Sequence, residues 1–242
     1  MGEPRLDGKV AVVTGGGTGL GRALVLGLAR RGADVAFSYR VSSRGAEDAQ
    51  AAVRAAGRRS FIAPADATRP GEISGFVERA ASEMGGLDVL VNNVGVFRKV
   101  PLADMTEEVL DEAFAVNVKA AVMASKAAAP HMRRRGGGSI VNVASLGGLR
   151  PWPSYVAYCA TKAALIMATE CLALALAPDI RVNAVAPGIL EPPGAGDSVR
   201  EKIPQRRFGT LEEVVETVMF LAAGGGYTTG EVIRVDGGRA LR

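Results

Sequence analysis

Short apolar runs alternate along the chain with longer stretches in which apolar positions recur at helical spacing. The runs KVAVVTG (9–15), VAFSYR (35–40), SFIAPAD (60–66), LDVLVNN (87–93), SIVNVAS (139–145), IRVNAVAPG (180–188) and EVIRVDGG (231–238) show little polar alternation. That is the pattern of parallel strands buried on both faces. Helices are predicted between them: over 19–31 with Gly32 as the stop, over 46–56 with Gly57, from Pro70 to Gly85-Gly86, over 106–135, over 155–176 and over 211–222. Strict alternation of this kind implies βαβ units and an α/β doubly wound parallel sheet of about seven strands with helices on both faces. Ligands of such sheets gather beyond the carboxyl ends of the strands, near the switch in strand order. The candidate segments are therefore TGGGTGLG, SYRVSSR, AD, NNVG, ASLGG and APG.

The 242 residues are 48% hydrophobic, which is enough for a sizeable core. No Pro/Ser tract, charge block or low-complexity segment marks a linker, so one domain over 1–242 is expected. A net charge of +4 suits anionic small molecules as well as nucleic acid. Aromatic residues are only 5%, and no basic stripe interleaves with them, which argues against a nucleic-acid module. Arg133-Arg134-Arg135 before three glycines reads as a last helical turn and its cap, with an anionic partner surface as the alternative. Cys159 and Cys171 fall in one predicted helix, too far apart to pair, and no CxxC is present. Neither a disulfide framework nor a metal site is expected, and the single His131 reads as a surface residue. MGEPRLDGK has no apolar core, and no run approaches the roughly 18 apolar residues of a membrane span. The expectation is a cytoplasmic protein without a membrane partner.

Thr14-Gly15-Gly16-Gly17-Thr18-Gly19-Leu20-Gly21 follows the first strand and opens the first helix. Free N–H groups at a helix start attract phosphate, and glycines let the backbone approach it. The spacing of Gly15, Gly19 and Gly21 is G-x-x-x-G-x-G rather than G-x-G-x-x-G, and Gly21-Arg22-Ala23 lacks the ending of a P-loop. A dinucleotide is the expected ligand. After the second strand comes Ser38-Tyr39-Arg40-Val41-Ser42-Ser43-Arg44, with no acid before Glu47. An acid there would bind a ribose 2′-hydroxyl, whereas a guanidinium suits a 2′-phosphate. NADP(H) is therefore expected over NAD(H), with Arg40 and Arg44 as solvated loop residues the alternative.

YCATK places Tyr158 and Lys162 one helical turn apart with small residues between. Ser145 ends the fifth predicted strand, and Asn117 lies in AFAVNVKAA. Together with TGGGTGLG, NNVG (92–95) and Pro187-Gly188, these residues follow the order and spacing of the short-chain dehydrogenase/reductase family, which the chain resembles from about Lys9 to Leu241. The resemblance implies a Rossmann-like fold and an enzyme that reduces a carbonyl to an alcohol. It makes Tyr158 the proton donor, Ser145 the hydrogen-bond donor to the carbonyl oxygen, and Lys162 a group that lowers the phenol pKa and holds the nicotinamide ribose. Asn117 would anchor a water in a proton relay. Tyr155 has Cys159, not lysine, four residues on, and reads as packing or pocket wall.

The resemblance also implies cofactor contacts from Gly15, Thr18, Gly19, Leu20, Gly21, Tyr39, Arg40, Ser42, Asp66, Ala67, Asn93, Gly95, Pro187, Gly188 and Ile189, with Asp66 on the adenine amino group. Asn92 and Asn93 have a structural role as the alternative, and Asp88 and Asp236 read as structural. The family often places a threonine five residues after the proline of this turn; here Pro192 stands at that position, and the lid over 194–202 is short. Among relatives, 3-oxoacyl-carrier-protein reductases are the nearest pattern, so the substrate is a small carbonyl compound, with an acyl thioester among the candidates. Pteridine reductases resemble the tail EVIRVDGGRAL, but Ser145 and Gly19 depart from their pattern. A pocket of Leu146, Trp152, Val96 and Phe97 would be apolar, with Trp152 alternatively in the core. Family members assemble as homotetramers or homodimers, here through 106–135, 155–176 and 231–235. A non-catalytic dinucleotide sensor is the reading from another class.

Overall fold

β1 (Val10–Val13), β2 (Asp34–Tyr39), β3 (Ser60–Pro64), β4 (Val89–Asn92), β5 (Gly138–Val143), β6 (Ile180–Pro187) and β7 (Val232–Val235) form one parallel sheet in the order β3-β2-β1-β4-β5-β6-β7. The structure is a computed structural model, and it describes residues 5–190, 197–224 and 226–241. The helices are α1 (Gly19–Arg30), α2 (Ser43–Ala55), α3 (Glu72–Met84), α4 (Glu107–Phe114), α5 (Ala120–Arg134), α6 (Val156–Leu176), α7 (Asp197–Arg200) and α8 (Leu211–Met219). They cover both faces of the sheet in the Rossmann-like manner.

Strand alternation builds two cores. Val10 and Val12 of β1, Leu90 of β4 and Ile140 of β5 pack with Phe76 of α3 and Ala124 of α5. Ala11, Val13, Val91 and Val141 point to the other face and pack with Leu24 of α1 and Val215 of α8. Asp88 is structural, as expected: its buried carboxylate accepts from Val10 N (2.9 Å) and pairs with Arg135 (3.0 Å) and Lys9 (3.1 Å). Asp236 is also structural, accepting from Gly238 N (3.0 Å) and Ala240 N (2.7 Å). The arginine triplet serves the protein itself at two of its positions, with Arg135 on Asp88 and Arg133 on Asp179.

The stretch 106–135 is mostly helical as expected, with a π-turn at Ala115–Lys119 joining α4 to α5. Two expectations are corrected. α3 begins at Glu72, after Gly71 (φ 84°), rather than at Pro70. α6 is long and apolar enough to cross a membrane by length and composition. Here it packs along β6 and sends Thr161, Lys162 and Thr169 into the interior.

The order reverses between β2-β1 and β4-β5. Crossovers on the two sides of that point run to opposite faces, and a cleft opens above the ends of β1 and β4.

Candidate active site

The glycine loop is fixed from both flanks. Ser38 Oγ accepts from Gly15 N (3.0 Å), and Gly16 N donates to the Ser38 carbonyl (2.8 Å). Asn93 Nδ2 donates to the carbonyls of Thr14 and Gly15, both at 3.0 Å, so Asn93 clamps the loop. A Cβ at Gly21 would lie 1.9 Å from the Gly15 carbonyl oxygen, and one at Gly16 would lie 2.6 Å from Phe37. Gly19 (φ 51°) instead faces open space. Thr18 is the N-cap residue of α1, yet its side chain does not cap the helix.

Above this loop lies an open groove of about 580 Å³, within the range of ligand sites. Gly15, Thr18, Gly19, Leu20, Gly21, Tyr39, Arg40, Ser42, Asp66, Ala67, Asn93 and Gly95 all line it. Arg40 is exposed there, whereas Arg44 does not line the groove. Asp66 stays ionised, held below its ordinary range by hydrogen bonds from the Thr68 N–H and hydroxyl. Asn92 turns inward instead: its amide donates to Asn142 (2.8 Å), which donates to Thr169 (2.9 Å), joining β4, β5 and α6. Pro187, Gly188 and Ile189 end β6 apart from the groove lining. A Cβ at Gly188 would lie 2.8 Å from Asp236 Cα. Pro192 and residues 194–196 of the lid lie outside the described residues.

The residues expected to be catalytic lie beside the groove, next to Gly95. Lys162 is buried and donates from Nζ to the Val143 carbonyl (2.7 Å). Its Nζ lies 5.9 Å from the Tyr158 ring centre and would be 3.4 Å from a Cβ at Gly95. Gly95 lines the groove, so the buried Lys162 nitrogen lies just behind the groove wall at that residue. Ser145 lies two residues beyond β5 at the start of the turn Leu146–Gly148, accepts from Gly147 N (3.0 Å) and hydrogen-bonds Tyr158. Gly147 allows this approach, since a Cβ there would lie 3.1 Å from the Tyr158 ring. Asn117 sits in the π-turn, and its amide is fully used. Oδ1 accepts from Val96 N (2.8 Å), and Nδ2 donates to the Val96 carbonyl (3.1 Å) and Thr161 Oγ1 (2.9 Å). The extra residue of the π-turn turns Asn117 inward to brace the Val96 segment against α6.

The expected electrostatics is reversed. Burial raises the Tyr158 pKa above the ordinary phenol value, opposed by the Ser145 hydrogen bond. Lys162 itself is lowered to about 8 by burial. The cause is a wall of rings: Phe97 stands edge-on to Tyr158 at 4.7 Å, and Trp152 stacks on it at 6.1 Å. Tyr155 stacks on Phe97 at 4.9 Å and so forms pocket wall, while Trp152 is half-buried rather than core. The apolar pocket is also corrected. Leu146 and Trp152 line a cavity of about 570 Å³ together with Arg150, Glu201, Lys202 and Arg239. Those charged residues come from three separate segments, and no local pattern announces them.

A family model described as enoyl-(acyl carrier protein) reductase matches residues 15–240. The chain is 37% identical to a 3-oxoacyl-acyl-carrier-protein reductase of Thermotoga maritima, covering 98% of this chain and 100% of that one. A short-chain dehydrogenase/reductase of Serratia marcescens superposes with a TM-score of 0.92 at 38% identity, covering 97% of this chain and 99% of its own. The chain belongs to the short-chain dehydrogenase/reductase family. It is thus an oxidoreductase of a family that uses nicotinamide cofactors. A further family-like structure, a blue fluorescent protein from a metagenomic library, is in complex with NADPH; its TM-score is 0.93 at 35% identity, with 98% and 99% coverage. The groove here fits such a dinucleotide in chemistry: a glycine-rich loop at a helix start, an ionised Asp66, and an exposed arginine.

Proposed function

We propose that the protein is an NADP(H)-dependent reductase of a small carbonyl compound, built as one dinucleotide-binding and catalytic unit. The carrying observation is the convergence of Ser145, Tyr158 and Lys162 beside the glycine-loop groove, next to Gly95. Residues of the groove, from Gly15 to Gly95, would hold the dinucleotide, with Arg40 on a 2′-phosphate and Asp66 toward the adenine. Pro187 to Ile189 would flank its nicotinamide end. When bound, the dinucleotide supplies the hydride.

The chain's own residues manage the oxygen. Ser145 donates a hydrogen bond to the substrate oxygen where negative charge develops. Tyr158, kept neutral by burial, delivers its proton to that oxygen. Lys162 holds positive charge beside the phenol, just behind the groove wall at Gly95. Asn117, its amide N–H groups committed to Val96 and Thr161, positions the Val96 segment, which carries the Phe97 wall, and its side-chain N–H groups do not anchor the relay water the resemblance implies.

Likeness to 3-oxoacyl-acyl-carrier-protein reductase supports an acyl thioester as one substrate class. Assembly as a homotetramer or homodimer is part of the reading: Phe114, Met123, Met167 and Leu174 expose apolar surface along α4, α5 and α6. So is residence in the cytoplasm, where unpaired Cys159 and Cys171 would stay reduced.

The test is NADPH consumption with a panel of ketones, quinones, acyl thioesters and dihydropterins. Turnover of a ketone or thioester, lost in Tyr158→Phe with NADPH binding retained, is the expected result. Tight NADPH binding without any turnover would favour the sensor instead, and turnover surviving in Tyr158→Phe would defeat the catalytic assignment.

A further inference from the structure

The cavity beside Trp152 shares a wall with the reacting residues. Leu146 follows Ser145 directly, and Trp152 stacks on Tyr158. Three cationic side chains line it, Arg150, Lys202 and Arg239, against one carboxylate, Glu201. Its framework is built from hydrogen bonds that fix each cation's backbone. Arg150 N donates to the Leu146 carbonyl (2.9 Å), closing the turn that carries Ser145. Arg239 N donates to the Asp236 carbonyl (3.1 Å), and Gln205 N donates to that of Gly237 (3.2 Å). The C-terminal turn is thereby held against the turn that carries Lys202. Gly237 and Gly238 allow the approach, since Cβ atoms there would lie 2.8 Å from Ile203 and 3.1 Å from Pro204. Arg239 Nη1 is buried without a hydrogen-bond partner. An anion in this cavity would meet the Arg239 guanidinium and the Lys202 ammonium against the single carboxylate of Glu201.

Resting on the carbonyl-reductase reading, we infer that this cavity is an anion subsite: the substrate carries a carboxylate or phosphate that Arg239 and Lys202 hold while its carbonyl lies at Ser145 and Tyr158. Arg150 adds to the positive field. The preferred substrate is then a charged oxo compound rather than a neutral ketone, and the distance between the two sites selects its chain length.

The experiment compares straight-chain oxo acids of graded length, their methyl esters, and phosphate monoesters of the matching hydroxyketones. Each is assayed with NADPH on wild type, Lys202→Gln, Arg239→Gln and Arg239→Lys. At one chain length the anion should exceed its ester in kcat/KM by about tenfold or more, a ratio that shrinks with added salt. Arg239→Gln and Lys202→Gln should pull that ratio toward one through KM, and Arg239→Lys should restore part of it. A preference for the oxo acid identifies a carboxylate, and one for the monoester a phosphate. Equal use of anion and ester at every length by wild type, or equal losses on both in the variants, overturns the subsite and leaves the reductase reading standing. If nothing is reduced, the reductase reading falls. Calorimetric binding of the same acids and monoesters to the NADPH complex then decides the subsite: binding weakened in both charge-removing variants supports it, and no binding or unchanged binding overturns it.

Discussion

Replacing Lys162 by methionine should reshape the pH dependence of stability. Lys162 is 4% exposed, and burial lowers its pKa from 10.5 to about 8. Between those values the unfolded chain holds a proton that the folded chain has released, so raising the pH favours folding. Below about 8 both states hold it, and the folded protein carries the full cost of a buried ammonium. At about 1.4 kcal/mol per pKa unit, that cost is about 3 kcal/mol near pH 7 and about 1 kcal/mol near pH 9.5. Methionine has similar bulk and no charge. Losing the hydrogen bond to the Val143 carbonyl adds an offset that does not vary with pH. Tyr158, raised above the ordinary phenol value, stays neutral in both folded proteins over this range. Urea denaturation of both across this range should show wild type gaining about 2 kcal/mol on the variant as pH rises. A constant difference, or a change of opposite sign, would refute the claim that burial sets the charge of this lysine.

Arg40→Ala should weaken NADPH binding about 2- to 5-fold, the worth of an exposed charged pair, while NADH binding holds; equal losses in fluorescence titration would remove Arg40 from the 2′-phosphate. Gly21→Ala should cost about 2–3 kcal/mol because its Cβ would sit 1.9 Å from the Gly15 carbonyl oxygen, whereas Gly19→Ala should cost about 1 kcal/mol for its positive φ alone. Equal thermal shifts for the two would show that the loop is not packed as described. Asn117→Ala should cost about 3 kcal/mol for its three hydrogen bonds and speed exchange at the Val96 amide; a loss under about 1 kcal/mol would show that the π-turn does not depend on that side chain.

The sheet was legible because parallel strands bury both faces, leaving apolar runs that need no tertiary information. The glycine loop was legible for a similar reason, since backbone approach demands glycine locally. What escaped the sequence came from distant partners. The break between α4 and α5 depends on Asn117 bonding Val96, 21 residues away, and Thr161, 44 residues away. No local helical pattern encodes either contact. The direction of the Tyr158 shift depends on rings at 97 and 152, and a reading confined to YCATK sees only the lysine. The basic cavity joins residues 150, 202 and 239, which the apolar set of Leu146, Trp152, Val96 and Phe97 does not announce.

The reversed phenol shift also bears on reaction direction. In the proposed reaction, reduction would need Tyr158 to carry its proton until the carbonyl oxygen accepts it, whereas oxidation would need the phenolate first. Burial under Phe97 and Trp152 favours the neutral phenol, so the walls of the pocket hold the proton that reduction spends. Lys162, titrating at about 8, keeps its own charge through the neutral range and stabilises the phenolate as that proton leaves. The ring cluster thereby links packing to chemistry. Trp152→Ala would open Tyr158 to water, lower its pKa toward the ordinary value, and shift the balance from reduction toward oxidation at alkaline pH. If the alkaline limb of the oxidation profile did not move in that variant, desolvation by Trp152 would not be what holds the proton.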